Sequence, residues 1–228
     1  MEIKTKVYKF NELSKEVQEK LIEEETCYQF DAYCASCLES DMTWEAEKLI
    51  KKYFNIQADP KVYYDLSYSQ GSGSMIEFTI NFEDLNKKYK ILNDEETRFI
   101  NDKNIINNIE IYHNNNLYYH EYTFDIKYYD DFGCYDYEDI KDEYNITKED
   151  FDKIEDKIIA LLYTHDKHYT KSPFIDDIIN MNKELTKFGY KILEDGETFK
   201  QQAIDWLKDN DTLYFENGKA FTEGYEVI

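Results

Sequence analysis

The clearest candidates for a functional role are seven carboxylates that lie close together in the segment 128–143, YYDDFGCYDYEDIKDE. Tyr and Phe alternate with them, and Lys141 is the only basic residue in the segment. Duplex DNA carries one negative charge per about 1.7 Å of axis, so an acidic, aromatic surface can imitate it for a DNA-binding protein. We therefore predict a partner-binding face made of Tyr128, Asp130, Asp131, Tyr135, Asp136, Tyr137, Glu138, Asp139 and Asp142. The alternative is a solvated loop without a partner.

The charge of the whole chain limits its partners. The sequence has 49 Asp and Glu residues against 27 Lys and Arg, which gives a formal net charge of −22 at pH 7. Nucleic-acid binding needs a basic surface, so we expect no direct binding of DNA or RNA. Two interpretations remain open: a soluble protein with an acidic compositional bias, or a protein whose acidic face docks on a basic partner. The N-terminus lacks the apolar core of a signal peptide and no apolar run is long enough to span a membrane, so we expect a cytoplasmic protein.

Three other features have the spacing of chemical sites. Cys34 and Cys37 form a CxxC pair, typical of a zinc or redox site, but no second pair accompanies them, so we expect buried free thiols. His165 and His168 have the spacing of a metal pair on a helix, and an exposed helix end is the alternative. A Gly-Ser-Gly turn suggests phosphate binding, but the Lys and following helix of a phosphate-binding loop are missing. We predict no metal, no cofactor and no catalytic residue.

That turn belongs to the stretch around which the other elements are organised, residues 62–82. Two strands are predicted to flank the turn at 70–74, with Gln70, Gly71 and Gly73 as its structural residues. In the second strand Ile76, Phe78, Ile80 and Phe82 alternate with polar residues, which indicates one buried face and one solvated face.

The remaining pattern is mostly helical. Apolar periodicity and capping signals predict a helix opening at 10–14 with Asn11 or Ser14 as its cap. Further helices are predicted at about 27–39, 43–54 (with Thr43 as N-cap), 94–100, 147–162 (opened by a near capping box at Thr147), 173–189 (ended by Gly189) and 197–208. Strands are predicted at 2–9, in a second hairpin at 107–129 with His120 and Glu121 in mid-strand, and in a small hairpin turning at Asn217-Gly218. The order predicts an α+β fold, in which an antiparallel sheet of two central hairpins is covered by N-terminal and C-terminal helices. We expect one domain, 1–228, with a possible subdivision into a sheet-containing part, 1–145, and a helical part, 146–228.

Four separated motifs together resemble a family of small acidic proteins encoded by bacteriophages and prophages. The opening F-x-E-L-S-x-E (Phe10 to Glu16) resembles the first helix of that family, and SQGSG (Ser69 to Gly73) resembles its S-Q-G-D-G turn, with Ser72 in place of Asp. The segment Tyr118 to Glu121 resembles the family's Y-x-H-E strand. The close of the chain, from Ala203-Ile204 to Lys219, resembles its A-I…N…F-x-x-G-K ending.

The resemblance implies a phage or mobile-element origin and activity in a host bacterial cytoplasm. Small acidic phage proteins are often inhibitors of host defence, and some of them mimic DNA and block CRISPR nucleases. We therefore expect a non-catalytic anti-CRISPR protein that binds a basic CRISPR effector through its acidic, aromatic face. An antitoxin-like or regulatory protein-binding module is the alternative, and an enzyme that uses the turn or the histidines is a third.

Overall fold

A computed structural model describes residues 6–114, 118–162 and 172–221 of the chain. Its helices are α1 (Lys15–Ser36), α2 (Leu38–Phe54), α3 (Phe82–Tyr89), α4 (Asp94–Asp102), α5 (Tyr137–Tyr144), α6 (Lys148–Leu162), α7 (Pro173–Leu193) and α8 (Gly196–Asp209). Its strands are β1 (Lys61–Asp65), β2 (Gly73–Asn81), β3 (Ile106–His113), β4 (Phe124–Asp130), β5 (Leu213–Tyr214) and β6 (Ala220–Phe221). The contacts divide the chain into two compact units, one made of Met1–Ser40 and Lys191–Ile228 and the other of Asp41–Tyr190. The α+β prediction is confirmed.

The Asp41–Tyr190 unit is built on a four-stranded antiparallel sheet in the order β1-β2-β3-β4. Ile76, Phe78 and Ile80 are buried, whereas Thr79 and Asn81 between and after them are exposed, as the alternation predicted. The strand ends one residue before the predicted Phe82, because the Asn81 side chain accepts a hydrogen bond from the backbone N–H of Asp84 (2.8 Å) and caps α3. Helix α3 was missed by the sequence analysis, and the helix predicted at 94–100 is confirmed as α4.

The second hairpin differs from its prediction in its returning arm. Strand β4 begins only at Phe124, and the described residues 118–123 before it form bends and turns. Placing His120 and Glu121 in mid-strand was therefore wrong. The Thr123 hydroxyl donates to the His120 carbonyl (2.7 Å) and also accepts from the His120 N–H (3.2 Å). These side-chain bonds satisfy backbone groups that a strand ladder would otherwise use.

Asn182 of α7 forms a hydrogen bond with the backbone of β2 where β2 is not paired with β3. Strand β3 pairs with β2 only from Phe78 onward, and the Ile76 N–H donates instead to Oδ1 of Asn182 (3.0 Å). Nδ2 of the same side chain donates to the Glu121 carbonyl (3.3 Å), and Asn182 is fully buried. One amide side chain therefore bridges β2 and the turn at 118–123, as a peptide group of a neighbouring strand would do.

Helix α7 also corrects the role predicted for Gly189. The helix does not stop there but continues to Leu193, and Gly189 is buried in it. A Cβ at this position would lie 2.7 Å from Cδ1 of Leu66 and 3.2 Å from Sδ of Met42. Gly189 therefore permits close packing of neighbouring side chains, whereas a helix-ending glycine would leave the helical conformation.

The other unit pairs α1 with α8 and carries the β5–β6 hairpin, whose turn at Asn217-Gly218 is confirmed by the positive φ of Gly218 (84°). Ser14 is the N-cap of α1, as predicted, and accepts from the Val17 N–H (3.4 Å). The first predicted strand is wrong over its described residues 6–9, which make only an isolated bridge between Tyr8 and Tyr214. Residues 2–5 of that strand lie outside the described part of the chain.

Two helix boundaries predicted near α1 and α2 are also wrong. The stretch 27–39 is not a separate helix, because its residues up to Ser36 continue α1. Thr43 lies inside α2, which begins at Leu38, and therefore does not cap it. Helices α6 and α8 agree with their predictions, and the Thr147 hydroxyl caps α6 by accepting from the Asp150 N–H (3.1 Å).

We expect Asn182→Leu to lower the free energy of unfolding by about 1–3 kcal/mol, because the Ile76 N–H and the Glu121 carbonyl would then be buried without partners. Urea unfolding followed by circular dichroism measures this change. Asn180→Leu, an exposed position on the same helix, is the matched control and should change stability by less than about 0.5 kcal/mol. Equal effects of the two substitutions would contradict the bridging role of Asn182.

Candidate protein-binding surface

The acidic segment folds into a short helix whose two faces have different roles. Residues Phe132–Cys134 form one turn of 3₁₀ helix, and α5 follows from Tyr137. Ile140 and Tyr144, four residues apart and therefore on one face, are each 1% exposed. The carboxylates of the segment are all exposed: Asp130, Asp131, Asp136, Glu138, Asp139, Asp142 and Glu143. Residues Tyr137–Tyr144 are therefore helical where the alternative had a loop, and the apolar residues anchor this helix.

The aromatic residues of the segment serve mainly as this anchor. The Tyr135 and Tyr144 rings pack edge-on against Phe99, with centroid distances of 6.0 and 5.3 Å. The Tyr137 ring lies 6.1 Å from Phe151 of α6. Tyr135 and Tyr137 are half-buried, and part of each ring remains accessible to a partner.

Tyr129, which the sequence analysis left out, is the most exposed aromatic residue in the described part of the segment, at 71%. Tyr128, which it selected, is half-buried, because it shares a strand face with Ile126. Strand alternation contained this signal, since successive side chains of β4 point to opposite faces of the sheet.

Basic neighbours neutralise two of the seven carboxylates. Glu138 pairs with Lys141 (2.5 Å) and Glu143 with Lys103 (3.2 Å), and the hydrogen bond from the lysine lowers the pKa of each glutamate below its ordinary value. Among the described residues, no basic side chain lies within ion-pair distance of the other five, which are Asp130, Asp131, Asp136, Asp139 and Asp142. These five exposed aspartates are here called the open aspartates.

The α5 helix keeps a net negative charge after its ion pairs are counted. The helix has 8 residues with four carboxylates and one lysine, so it spans about 12 Å of axis at 1.5 Å per residue. Lys141 and Lys103 pair with two of these carboxylates, so the remaining charge of −2 gives about one negative charge per 6 Å, whereas one strand of DNA carries one per about 3.4 Å. A groove that binds a phosphate backbone would meet about half that linear charge density on this helix.

The other candidate sites have less support. Cys27 and Cys37 are exposed and Cys34 is half-buried, so the prediction of buried free thiols is wrong for the CxxC pair, although all four cysteines are free. Burial raises the pKa of the Cys34 thiol, and the charge of Asp31 adds to this, so less of the reactive thiolate is present. Within the described residues, no group of three or more His, Cys, Asp and Glu side chains has metal-binding geometry. His165 and His168 lie outside those residues.

The glycines of the turn after β1 allow a second segment to approach closely. Gly71 has a φ of +93°, and a Cβ there would lie 2.1 Å from Cδ1 of Tyr118. A Cβ on Gly73 would lie 2.7 Å from the Tyr119 carbonyl oxygen. The Tyr119 N–H donates to the Gly71 carbonyl (3.2 Å), while Gln70, which precedes Gly71, is exposed. The two motifs SQGSG and YYHE therefore pack on each other. The turn was predicted at 70–74, whereas the connection between the strands spans 66–72, and Gly73 and Ser74 already pair within β2.

Comparison of the chain with family models, curated proteins and solved structures gave no significant match. Across residues 6–114, 118–162 and 172–221, no helix combines the length and hydropathy needed to cross a bilayer.

We expect Gly71→Ala to lower the free energy of unfolding by about 1–3 kcal/mol, because alanine is strained at positive φ and its methyl group would displace the Tyr118 ring. Thermal and urea unfolding measure this change. Gly133→Ala is the control, since a Cβ there meets no atom within 4 Å, and it should be nearly neutral. If Gly71→Ala is as well tolerated as Gly133→Ala, the close approach of Tyr118 is not required by the fold.

Proposed function

We propose that this protein is a non-catalytic inhibitor that binds a basic, nucleic-acid-handling protein through the open aspartates and the α5 surface. Its partner is most simply a CRISPR effector nuclease, whose nucleic-acid groove the acidic surface occupies. The inhibitor would act in the bacterial cytoplasm, where such an effector works. It would bind the protein partner and not nucleic acid itself.

One observation supports this proposal above the others: the open aspartates are exposed, and no basic side chain of the described residues pairs with them, on a segment that its apolar side chains hold in place. A flexible acidic loop would lose conformational entropy on docking, whereas an anchored helix loses little. Long-range attraction between an acidic surface and a basic groove also raises the association rate.

The choice of a CRISPR effector rests on the resemblance to small acidic phage and prophage proteins. That resemblance suggests the biological setting and the class of target, while the charge pattern suggests the mode of binding. A co-encoded toxin is the other basic partner that an acidic surface of this kind would suit. The binding experiment therefore needs to include both.

The inhibitor would compete directly with nucleic acid for the same groove. Lys and Arg side chains that release counterions on binding DNA would pair instead with the open aspartates. Binding should therefore weaken as salt rises, and excess DNA should displace the inhibitor from the effector. An inhibitor that bound elsewhere on the effector would not be displaced in this way.

We expect the quintuple Asp→Asn variant of the open aspartates to bind a guide-loaded CRISPR effector about tenfold or more weakly than the unmodified protein, and to show a shallower salt dependence. Affinity measured over a salt series on a panel of purified effectors, together with a DNA-cleavage assay, tests this. The control neutralises five exposed carboxylates elsewhere: Glu19, Glu23, Asp31, Glu197 and Asp209. It removes the same charge and should retain both binding and inhibition.

Three results would contradict the proposal. If the chain binds no effector in the panel but captures a co-encoded toxin, the antitoxin-like alternative is favoured. If both quintuple variants weaken binding equally, total charge and not the α5 surface determines affinity. If inhibition persists when the open aspartates are replaced, the inhibitory surface lies elsewhere on the chain.

A further inference from the structure

Three exposed tyrosines lie at the end of the sheet opposite to the acidic segment. Tyr68 is 63% exposed, Tyr118 52% and Tyr122 45%. Tyr68 belongs to the turn between β1 and β2, and the other two lie in the connection that leads into β4. Phe124 and Asp130 are the two ends of β4, so about 20 Å of strand separates this end from the acidic one, at about 3.3 Å per residue. The proposed inhibitory surface does not include these tyrosines.

We call the three rings at this end of the sheet, together with the face of α7 that two of them contact, the tyrosine surface. The Tyr68 ring stacks on Tyr190 of α7 with a centroid distance of 4.4 Å, and the Tyr122 ring lies under Nζ of Lys183 at 5.4 Å. Lys183 and Tyr190 are seven residues apart and so share one face of α7. Tyr118 lies against Gly71, three residues beyond Tyr68 in the same turn. The surface therefore runs along α7 and across the turn.

The backbone beneath the tyrosine surface is held by a dense hydrogen-bond network. The Ser69 N–H donates to Oγ of Ser72 (2.8 Å), and Oγ of Ser67 donates to Oγ of Ser69 (3.0 Å). Tyrosine supplies a large contact area with only two side-chain torsions to order, and serine adds adaptable hydrogen bonds. Both features reduce the entropy lost when a partner docks.

Tyr68 gives an independent reason to assign a function to this surface. Its φ is +58°, a left-handed conformation that is rare for a bulky side chain. Glycine or asparagine would hold this turn with less strain. A strained aromatic residue that remains mostly exposed adds little to the core, which is typical of a residue retained for contact with a partner.

The charge on the tyrosine surface identifies a second copy of this chain as the partner. Two chains of net charge −22 repel each other, and repulsion is least where they meet on a nearly neutral surface. Among the described residues, Lys183 and Glu121 lie 3.9 Å apart beside the tyrosines, Lys187 lies on the same face of α7, and Asp65 accepts from the Ser67 N–H in the turn, so the charges of the two signs balance. A twofold axis would place Lys183 of each copy near Glu121 of the other, so the surface is complementary to itself. This arrangement would also hold the two acidic segments far apart.

We propose that the tyrosine surface mediates a weak symmetric dimer that presents two acidic ends. The exposed parts of the three rings amount to about 300 Å² per copy, well below the ~800 Å² of a standard interface. The dissociation constant should therefore be in the micromolar range, on the order of 10 µM or weaker. The dimer does not depend on the proposed inhibitory function.

Sedimentation equilibrium of the full chain up to about 500 µM, at about 0.05 M and about 0.5 M salt, tests this proposal. We expect association to tighten at the higher salt, because screening reduces repulsion between the acidic bodies, which is opposite to the salt effect expected for inhibitor binding. The triple variant Tyr68→Asn, Tyr118→Ser, Tyr122→Ser should weaken the dimer at least about tenfold. Replacing three exposed aromatics elsewhere, with Tyr28→Gln, Trp44→Gln and Tyr129→Ser, should leave it unchanged.

Charge reversal at the surface provides a second test that does not alter the turn. Lys183→Glu alone and Glu121→Lys alone should each weaken association, and the double swap should restore it. A chain that is monomeric at the highest concentration and salt overturns the proposal. Equal weakening of the dimer by the control triple variant and the tyrosine variant also overturns it. The proposal is overturned as well if the double swap weakens association by the sum of the two single effects.

Discussion

The structure of the Asp41–Tyr190 unit depends on satisfying the backbone of β2 where its neighbour β3 diverges. A buried N–H without a partner lowers the free energy of unfolding by about 1–3 kcal/mol. The Ile76 N–H has no partner on β3, which pairs with β2 only from Phe78. Oδ1 of Asn182 accepts a hydrogen bond from this N–H, and Nδ2 of Asn182 donates to the Glu121 carbonyl. The Ser74 hydroxyl donates to the backbone carbonyl of Asn182 (3.1 Å). Helix α7, the central strand and the connection into β4 are therefore fixed together by one buried polar residue and its neighbours.

The surface of the unit has two ends with different chemistry. At one end, the turn after β1 and the 118–123 connection close on each other through Gly71 and Gly73, and the exposed groups are tyrosine and serine. At the other end, β4 leads into α5, where Ile140 and Tyr144 are buried and the carboxylates face water. A nearly neutral surface suits association between like-charged chains, and an acidic one suits a basic partner. The two proposed interactions should therefore respond to salt in opposite directions.

The sequence predicted those elements whose signals are local. The alternation in β2, the Ser14 and Thr147 caps and the Asn217-Gly218 turn all specify their own conformation within a few residues, and each prediction is confirmed. Errors arose where distant contacts decide the outcome. Gly189 is helical and lies close to Leu66, which is distant in sequence, and residues 118–123 form turns that contact Gly71. The choice of Tyr128 over Tyr129 was a different kind of error, because it followed composition and ignored the local alternation of β4.

The clustering of carboxylates was visible in the sequence, but the sequence did not show which of them form ion pairs. Only the folded chain shows that lysines pair with Glu138 and Glu143 and leave the open aspartates without a basic neighbour among the described residues.

The central claim is that this surface contacts a basic partner, and hydrogen–deuterium exchange of the chain with and without a guide-loaded CRISPR effector tests it most directly. We predict slower exchange across residues 130–143 in the complex, and no change along α1. Unchanged exchange at 130–143 in a complex that protects another segment would contradict the claim.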